Sequence, residues 1–283
     1  MHSPRPEQRG WDVSTAISRG LGILQMLTGL PEGLALKEIA TRLDVVKSSA
    51  HRAVSELVDL GYVRQDQDTG KYILGLKLIS LAQRHLATIP LVDLAQSFLD
   101  RLSATSGELS RLSIVDESTL VWVAKREGSK SGLRFDPDDG QEVKLSCSAS
   151  GLAWLSTMSD ERALELVELQ GYPAPDEYTP IAPRTHAEYL ALLHEARDLG
   201  FGYVADLFEV GVAAIAVPVI LRPGEEAVGV LNLCGPSARL DRDRCIAMLP
   251  DLRQAAKELA TVFRDEHVRE STLKRHRFGS VDA

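Results

Sequence analysis

The sequence contains few cysteines and no long apolar segment. Its 283 residues include three cysteines, Cys147, Cys234 and Cys245, which are widely spaced and odd in number. This usage excludes a small disulfide-stapled scaffold and is typical of a reducing compartment. The amino-terminal residues lack the apolar core of a secretory signal, and no apolar run approaches the ~20 residues needed to cross a bilayer. We therefore expect a cytoplasmic protein with no membrane role.

The common motifs of catalytic and metal sites are also missing from the sequence. There is no C-x-x-C, no G-x-S-x-G nucleophile elbow, no H-E-x-x-H and no phosphate-binding glycine loop. The seven histidines are dispersed. His186 and His194 are two helical turns apart, too far to share an ion readily, and His186 is best interpreted as a helix-start residue. We expect no cofactor, no metal and no enzymatic activity.

The amino-terminal part of the chain carries little net positive charge for a segment that would contact nucleic acid. Residues 1–80 contain 10 Lys and Arg against 9 Asp and Glu, a net charge of +1, and the rest of the chain carries −9, which together give −8. An affinity for DNA would therefore depend on local placement of cations and on more than one copy of the domain. The acidic remainder is better suited to sensing or assembly.

The stretch 36–74 predicts two short helices followed by a hairpin. Apolar residues recur at helical spacing in its first part, are interrupted by Asp44-Val45-Val46, and resume as far as Gly61, which is placed to end the second helix. Two strand-like segments then flank the polar, glycine-ended link 66–70. This order of elements is the outline of a winged helix-turn-helix.

Polar and basic side chains crowd the first turns of the second helix, where a recognition helix contacts base edges and phosphates. Lysine and arginine suit phosphates or guanine edges, and serine hydroxyls suit either partner. The alternative is an ordinary solvated helix face. The residues predicted to contact DNA are Arg19 in the first helix, Lys47, Ser48, Ser49, His51 and Arg52 in the second helix, and Arg64 and Lys71 in the hairpin.

Apolar periodicity and breaker residues divide the chain. A first helix is predicted from about Ser14 to Thr28, with Ile17, Leu21, Leu24 and Leu27 facing inward. A linker helix would either dimerise the protein or pack on its own domain. The predicted segments are a disordered start over 1–12, a winged helix-turn-helix domain over 13–75, the linker helix over 76–88, a sensor-like domain over 89–265 and a tail over 266–283.

The second half mixes strand and helix patterns, which predicts an α+β or α/β domain. Thr185 to Glu188 reads as a capping box for a helix that ends at Gly200. Two strongly apolar strands follow, 212–220 and 227–234, joined by a polar turn. A closing helix, 240–264, should break or kink near its proline.

These segments resemble a known family. The stretches SRGLGILQML, LKEIATRLDVVKSSAHRAVSELVDLGYV and DTGKYILGLKLISLA are similar, in order and spacing, to the amino-terminal domain of the IclR family of bacterial transcriptional regulators. GQEVKLSCSASGLAWLS, GFGYVADLFEVGVAAIAVPV and AVGVLNLCGPSARL resemble that family's effector domain. The resemblance covers residues 14–264. It implies a mixed all-α and α/β chain with a winged helix-turn-helix, a linker helix and a GAF-like α+β effector-binding domain.

The resemblance also implies partners and a ligand pocket. It implies a homodimer or dimer of dimers on palindromic double-stranded operator DNA, more readily a repressor than an activator, under control of a small organic acid or aromatic metabolite. Trp122 would offer a flat apolar surface, although it is equally suited to a core. The matching positions predict an effector pocket lined by Leu112, Trp122, Arg134, Ser146, Cys147, Ser148, Ala149, Asp206, Ala214, Asn232 and Cys234.

The sequence departs from the family pattern at several positions. Asp44-Val45-Val46 stands where the family has Gly-Leu-Pro, and aspartate is able to replace the glycine because it tolerates a left-handed backbone. Ala214 replaces a ligand-holding cysteine, and Asn232 and Cys234 replace two serines. A glyoxylate-like or pyruvate-like effector is therefore not supported. The alternative function is a GAF-type enzyme with cysteine redox chemistry, similar to a methionine sulfoxide reductase.

Overall fold

The computed structural model describes residues 15–86, 90–129, 142–172 and 179–278. Side chains are described except those of residues 86, 90–94 and 265–278. The chain divides after residue 88 into two compact units. Among the described residues, no helix combines the length and the apolarity that a bilayer crossing demands.

The first unit is a winged helix-turn-helix with one additional helix at its end. Its core is formed by apolar residues of three helices and a small hairpin, including Ile23, Ile39, Val54 and Tyr72. The elements are α1 (Ala16–Leu27), α2 (Leu36–Arg42), α3 (Lys47–Asp59), β1 (Val63–Gln65), β2 (Tyr72–Leu74) and α4 (Lys77–Leu86).

The turn between α2 and α3 depends on Asp44. Its φ of +53° lies in the left-handed region, so the predicted replacement of glycine by aspartate is confirmed. Gly61 follows the end of α3 with φ +78°, which confirms it as the stop residue of that helix. These two positions set the direction in which α3 leaves the domain core.

Helix α1 buries only part of the predicted stripe. Leu27 is buried as predicted, but Ile17 and Leu21, which were also expected to face inward, are 76% and 55% exposed. The buried residues are Ile23, Met26 and Leu27, so the inward face lies in the second half of the helix. The apolar residues in the first half of α1 do follow helical spacing, but their side chains are not buried in this core.

The second unit is an antiparallel five-stranded sheet covered by helices on both faces. The strand order is β4-β3-β7-β6-β5. The strands are β3 (Leu109–Asp116), β4 (Thr119–Arg126), β5 (Gly202–Ala205), β6 (Val212–Val219) and β7 (Gly229–Pro236); the helices are α5 (Pro90–Ser106), α6 (Ala149–Leu155), α7 (Asp160–Gln170), α8 (His186–Leu199) and α9 (Arg242–Phe278).

Alternate residues of the strands enter two separate cores. Ile215 and Leu231 face α5 and α9, whereas Ala214 and Cys234 face α6, α7 and α8. Every residue of β7 is buried, as expected for a central strand covered on both faces. The face with α6, α7 and α8 carries the cavity described below.

Local signals predicted the helix ends well and the strand ends less well. The predicted capping box is confirmed, because Thr185 accepts a hydrogen bond from the backbone N–H of Glu188, and α8 ends at Gly200. Strand β5, only four residues long, was not predicted. Helix α9 runs through Pro250 to Phe278, so the predicted end at Arg264 was too early.

A buried ion pair joins α5 and β3 to the segment after β7. The Glu108 side chain is 3% exposed, and its two oxygens accept hydrogen bonds from Arg239 Nε and Nη2 at 2.8 and 2.9 Å. A Cβ at Gly235 would collide with the Glu108 carboxylate, so glycine is required beside this pair. Arg244 Nη2 donates to the Ser106 carbonyl at the same place.

We predict that Arg239→Ala destabilises the second unit, because it leaves the Glu108 carboxylate buried without its cation. The expected loss of unfolding free energy is about 3 kcal/mol, measured by urea denaturation followed through tryptophan fluorescence. The control is Arg222→Ala, which breaks the exposed pair with Glu225 and should change stability by less than about 0.5 kcal/mol. Equal losses in the two variants would contradict a structural role for the buried pair.

Candidate DNA interface and small-molecule cavity

Helix α3 presents a polar face because its apolar residues are all directed into the core. Ala50, Ala53, Val54 and Leu57 are buried. The predicted contact residues of α3 occupy the opposite side: Lys47, Ser48, His51 and Arg52 are exposed and Ser49 is half-buried. Within the described residues, no salt bridge occupies the cations of this face, so they are available to a phosphate or a base edge.

The hairpin after α3 holds its remaining cations on a well-defined turn. Asp66 Oδ1 accepts hydrogen bonds from the backbone N–H and the hydroxyl of Thr69, both at 2.8 Å. These bonds lower the pKa of Asp66 and close the loop between β1 and β2. Arg64 is exposed on β1, and Lys71 is half-buried where β2 begins. Arg19 is half-buried on α1.

In the second unit, a cavity lies on the sheet face that packs against α6. Its volume is about 40 Å³, which exceeds the ~10–15 Å³ that one water molecule requires. Its wall is mainly apolar. Six predicted effector residues line it: Trp122, Ser148, Ala149, Ala214, Asn232 and Cys234.

Four predicted pocket residues do not reach the cavity. Leu112 points to the opposite face of the sheet, where it packs with α5 and α9. Ser146 and Cys147 are buried before α6 begins. Asp206 has φ +56° and accepts a hydrogen bond from the backbone N–H of Gly211, so it shapes the turn between β5 and β6. Arg134 lies outside the described residues.

Several wall residues were missed from the sequence. The missed residues are Arg111, Ser150, Val204, Phe208 and Val212. The error on β3 concerns the face of the strand that lines the cavity. Leu112 was expected at the cavity but packs on the opposite face of the sheet. Its neighbour Arg111 lines the cavity instead, because successive strand side chains point to opposite faces.

Close packing of α6 on the sheet fixes one side of the cavity. A Cβ at Gly202 of β5 would collide with the Ala149 carbonyl oxygen, so glycine allows α6 to lie directly against the strand. Ser148 caps α6 by accepting a hydrogen bond from the Gly151 N–H at 3.0 Å. This contact brings Ser148, Ala149 and Ser150 to the cavity wall.

Apart from Ser148 and Ser150, the polar side chains of the cavity wall lie on β3, β4 and β7. Arg111 is 1% exposed, and its guanidinium carbon lies 3.6 Å from the centroid of the Trp122 ring. Asn232 is paired with Arg111 across β3 and β7. Among the described residues, Trp122 Nε1 and Asn232 Oδ1 have no hydrogen-bond partner.

The histidines of the second unit bridge two helices. His186 Nε2 lies 2.9 Å from Glu168 Oε1, and His194 Nε2 lies 2.6 Å from Asp160 Oδ2, so both pairs join α8 to α7. The hydrogen bond with His194 lowers the pKa of Asp160. Within the described part of the chain, no group of three or more potential ligands could hold a metal ion.

Comparison with known proteins covers both units. Residues 16–67 match the model of the IclR helix-turn-helix domain, and residues 83–261 match the model described as "Bacterial transcriptional regulator IclR C-terminal". The transcriptional regulator KdgR of Escherichia coli K12 is 28% identical over 88% of this chain and 92% of its own length. The transcriptional repressor AllR of the same strain is 26% identical over 87% and 89%.

Solved structures share the architecture as well. An IclR homologue from Microbacterium hydrocarbonoxydans, crystallised with 4-hydroxybenzoate, superposes with a TM-score of 0.71 and covers 89% of this chain and 100% of its own. Its sequence identity is 22%, so it supports the fold alone.

The three thiols are poorly placed for redox catalysis. Cys147 and Cys245 are fully buried and Cys234 is 3% exposed. Burial raises the pKa of each of these thiols to about 12. Because the thiolate is the reactive form, all three are held unreactive at neutral pH. This arrangement does not favour the alternative of a cysteine enzyme.

We predict that none of the three thiols reacts rapidly with Ellman's reagent in the native protein at about pH 8, where an ordinary cysteine is partly ionised. All three should react once the protein is denatured. Ala187→Cys, at an exposed position of α8, should add one rapidly reacting thiol and serves as the control. A native thiol that reacts as fast as this engineered one would reopen the redox interpretation.

Proposed function

This chain belongs to the IclR family of bacterial transcriptional regulators, and we propose that it is a one-component switch whose DNA affinity is set by a small molecule bound beside the sheet. The observation that carries the proposal is the division of α3. Its apolar residues are buried in the first unit, while Lys47, Ser48, His51 and Arg52 are exposed together. A recognition helix in the major groove requires this arrangement.

The proposed DNA contacts extend beyond α3. Arg52 and Lys47 would meet base edges or phosphates, with Ser48, Ser49 and His51 beside them. Arg64 and Lys71 on the hairpin, and Arg19 on α1, would contact backbone phosphates. Such contacts position the protein on the duplex, whereas α3 reads its sequence.

A single copy of the first unit is weakly charged for this task, so we propose a homodimer or a dimer of dimers. Two copies double the number of phosphate contacts and match a palindromic operator. The exposed apolar residues of α1 and α4 support self-association: Ile17 and Leu21 on α1, and Leu76 and Ile79 beside and within α4, are each more than half exposed. A second copy of the chain is the proposed partner of these faces.

The cavity beside α6 is the proposed effector site. It is mainly apolar with a few convergent polar groups, which is the usual composition of a small-molecule site. The Microbacterium hydrocarbonoxydans homologue was crystallised with 4-hydroxybenzoate, which supports an organic acid or aromatic metabolite. An effector that prefers one arrangement of two DNA-binding units would change their match to the half-sites.

We propose that the protein acts as a repressor. Its proposed location is the cytoplasm. The similar protein AllR is described as a repressor, and a protein that covers an operator needs no further surface in order to block transcription. Binding of the effector would then release the operator.

We predict that Lys47→Ala and Arg52→Ala each weaken operator binding by about tenfold, because each removes a side chain that binds phosphate or a base edge. The slope of log affinity against log salt concentration should become shallower by about one for each phosphate that a variant no longer neutralises. Fluorescence anisotropy with DNA from upstream of the protein's own gene, at several salt concentrations, measures both quantities.

The control for this experiment is Arg222→Ala, which removes an exposed cation of the second unit and should leave DNA affinity unchanged. Oligomeric mass by light scattering and thermal melting should be the same in all three variants. Unaltered affinity in both Lys47→Ala and Arg52→Ala would remove α3 as the recognition helix.

A further inference from the structure

Val46, at the start of α3, occupies a position where helices ordinarily place a polar side chain. It is the residue immediately before the first helical turn, and its backbone is extended, with φ −64° and ψ 145°. Serine, threonine, aspartate and asparagine are preferred there, because their side-chain oxygen accepts a hydrogen bond from an N–H group of the first turn. Valine has no such oxygen. Helix α3 therefore begins without this stabilising cap.

Most other helices of the chain keep the preference for a polar cap. Side-chain oxygens cap α1, α6, α7, α8 and α9, and belong to Thr15, Ser148, Ser159, Thr185 and Asp241. At the start of α2, Glu38 accepts a hydrogen bond from the Ala35 N–H instead. Leu76, before α4, is apolar and exposed, and it belongs to a face proposed above for self-association. Natural sequences break local rules mainly at functional sites, so Val46 also calls for a contact outside its own domain.

The residues around Val46 indicate what that contact is. Val46 is 71% exposed, whereas its neighbour Val45 packs against the core of the first unit. Lys47, Ser48 and Arg52, which follow on α3, are exposed and polar. An apolar protein surface laid over Val46 would bury these cations without partners, which is unfavourable. A DNA duplex offers them phosphates and base edges, so it can approach Val46 without that cost.

The major groove presents an apolar group at one base, the C5-methyl of thymine. Residues at the N-terminal end of a recognition helix contact base edges, and Val46 lies at that end of α3. We propose that Val46 contacts the methyl group of a thymine in each operator half-site and so makes the protein prefer thymine at that position. The proposal rests on the DNA-binding function proposed above and adds a residue that determines operator sequence.

Replacement of thymine by uracil tests this contact, because uracil keeps the hydrogen-bonding groups of thymine and lacks only the methyl group. The probe is the duplex that the intact protein protects in footprinting of DNA upstream of its own gene, prepared with either thymine or uracil in the half-sites. Fluorescence anisotropy gives the affinity for each duplex. The thymine duplex should bind about fourfold more tightly for each half-site, as expected for burial of one methyl group.

Variants assign the preference to Val46. Val46→Ser supplies a cap and removes the apolar group, so it should bind both duplexes as the parent protein binds the uracil duplex, without a lower melting temperature. Val46→Ala shortens the side chain without adding a hydroxyl and should lower the affinity ratio. Leu60→Ser, at the other end of α3 and also exposed, is the matched control and should keep the parental ratio. Comparison of ratios removes any effect of uracil on duplex shape, which all variants share.

The outcomes separate this proposal from the function on which it rests. Equal affinity of the parent protein for the two duplexes would overturn the thymine contact, as would a parental affinity ratio in Val46→Ser. A smaller oligomer of Val46→Ser in light scattering would also overturn it, because the valine would then lie in a contact between copies of the chain. Absence of any protected sequence with the parent protein would instead refute the proposed DNA-binding function.

Discussion

Burial of the central sheet on both faces is the constraint that organises the second unit. Every residue of β7 is buried, so its alternating side chains must be matched by helices on each side. Large residues such as Ile215 and Leu231 fill the face against α5 and α9. The other face carries Ala214, Ala216 and Cys234. Small side chains on one face leave space that large ones would fill, and the cavity lies there.

The same alternation brings two polar side chains of the sheet together at the cavity. Arg111 and Asn232 are cross-strand neighbours on the face of the small residues. A buried arginine costs desolvation energy that a hydrophobic residue would not. The stacking of Arg111 on Trp122 offsets part of this cost.

Sequence reasoning succeeded where a local rule decides the structure. The cap at Thr185, the stop at Gly61 and the left-handed Asp44 depend on backbone groups within a few residues, and all three were predicted. It failed where distant packing decides. Ile17 obeys helical spacing, yet the core of the first unit does not reach it. Arg111 was missed because the face of β3 that lies towards α6 is decided by the packing of distant helices on the sheet.

A single chain that both reads DNA and responds to a small molecule should lose its operator when that molecule binds. The most direct measurement is footprinting of the intact protein on DNA that flanks its own gene, with and without a small molecule that raises its melting temperature. We expect protection of paired half-sites that disappears when the small molecule is added. Absence of any protected sequence, or protection that the bound molecule leaves unchanged, would contradict the proposed function.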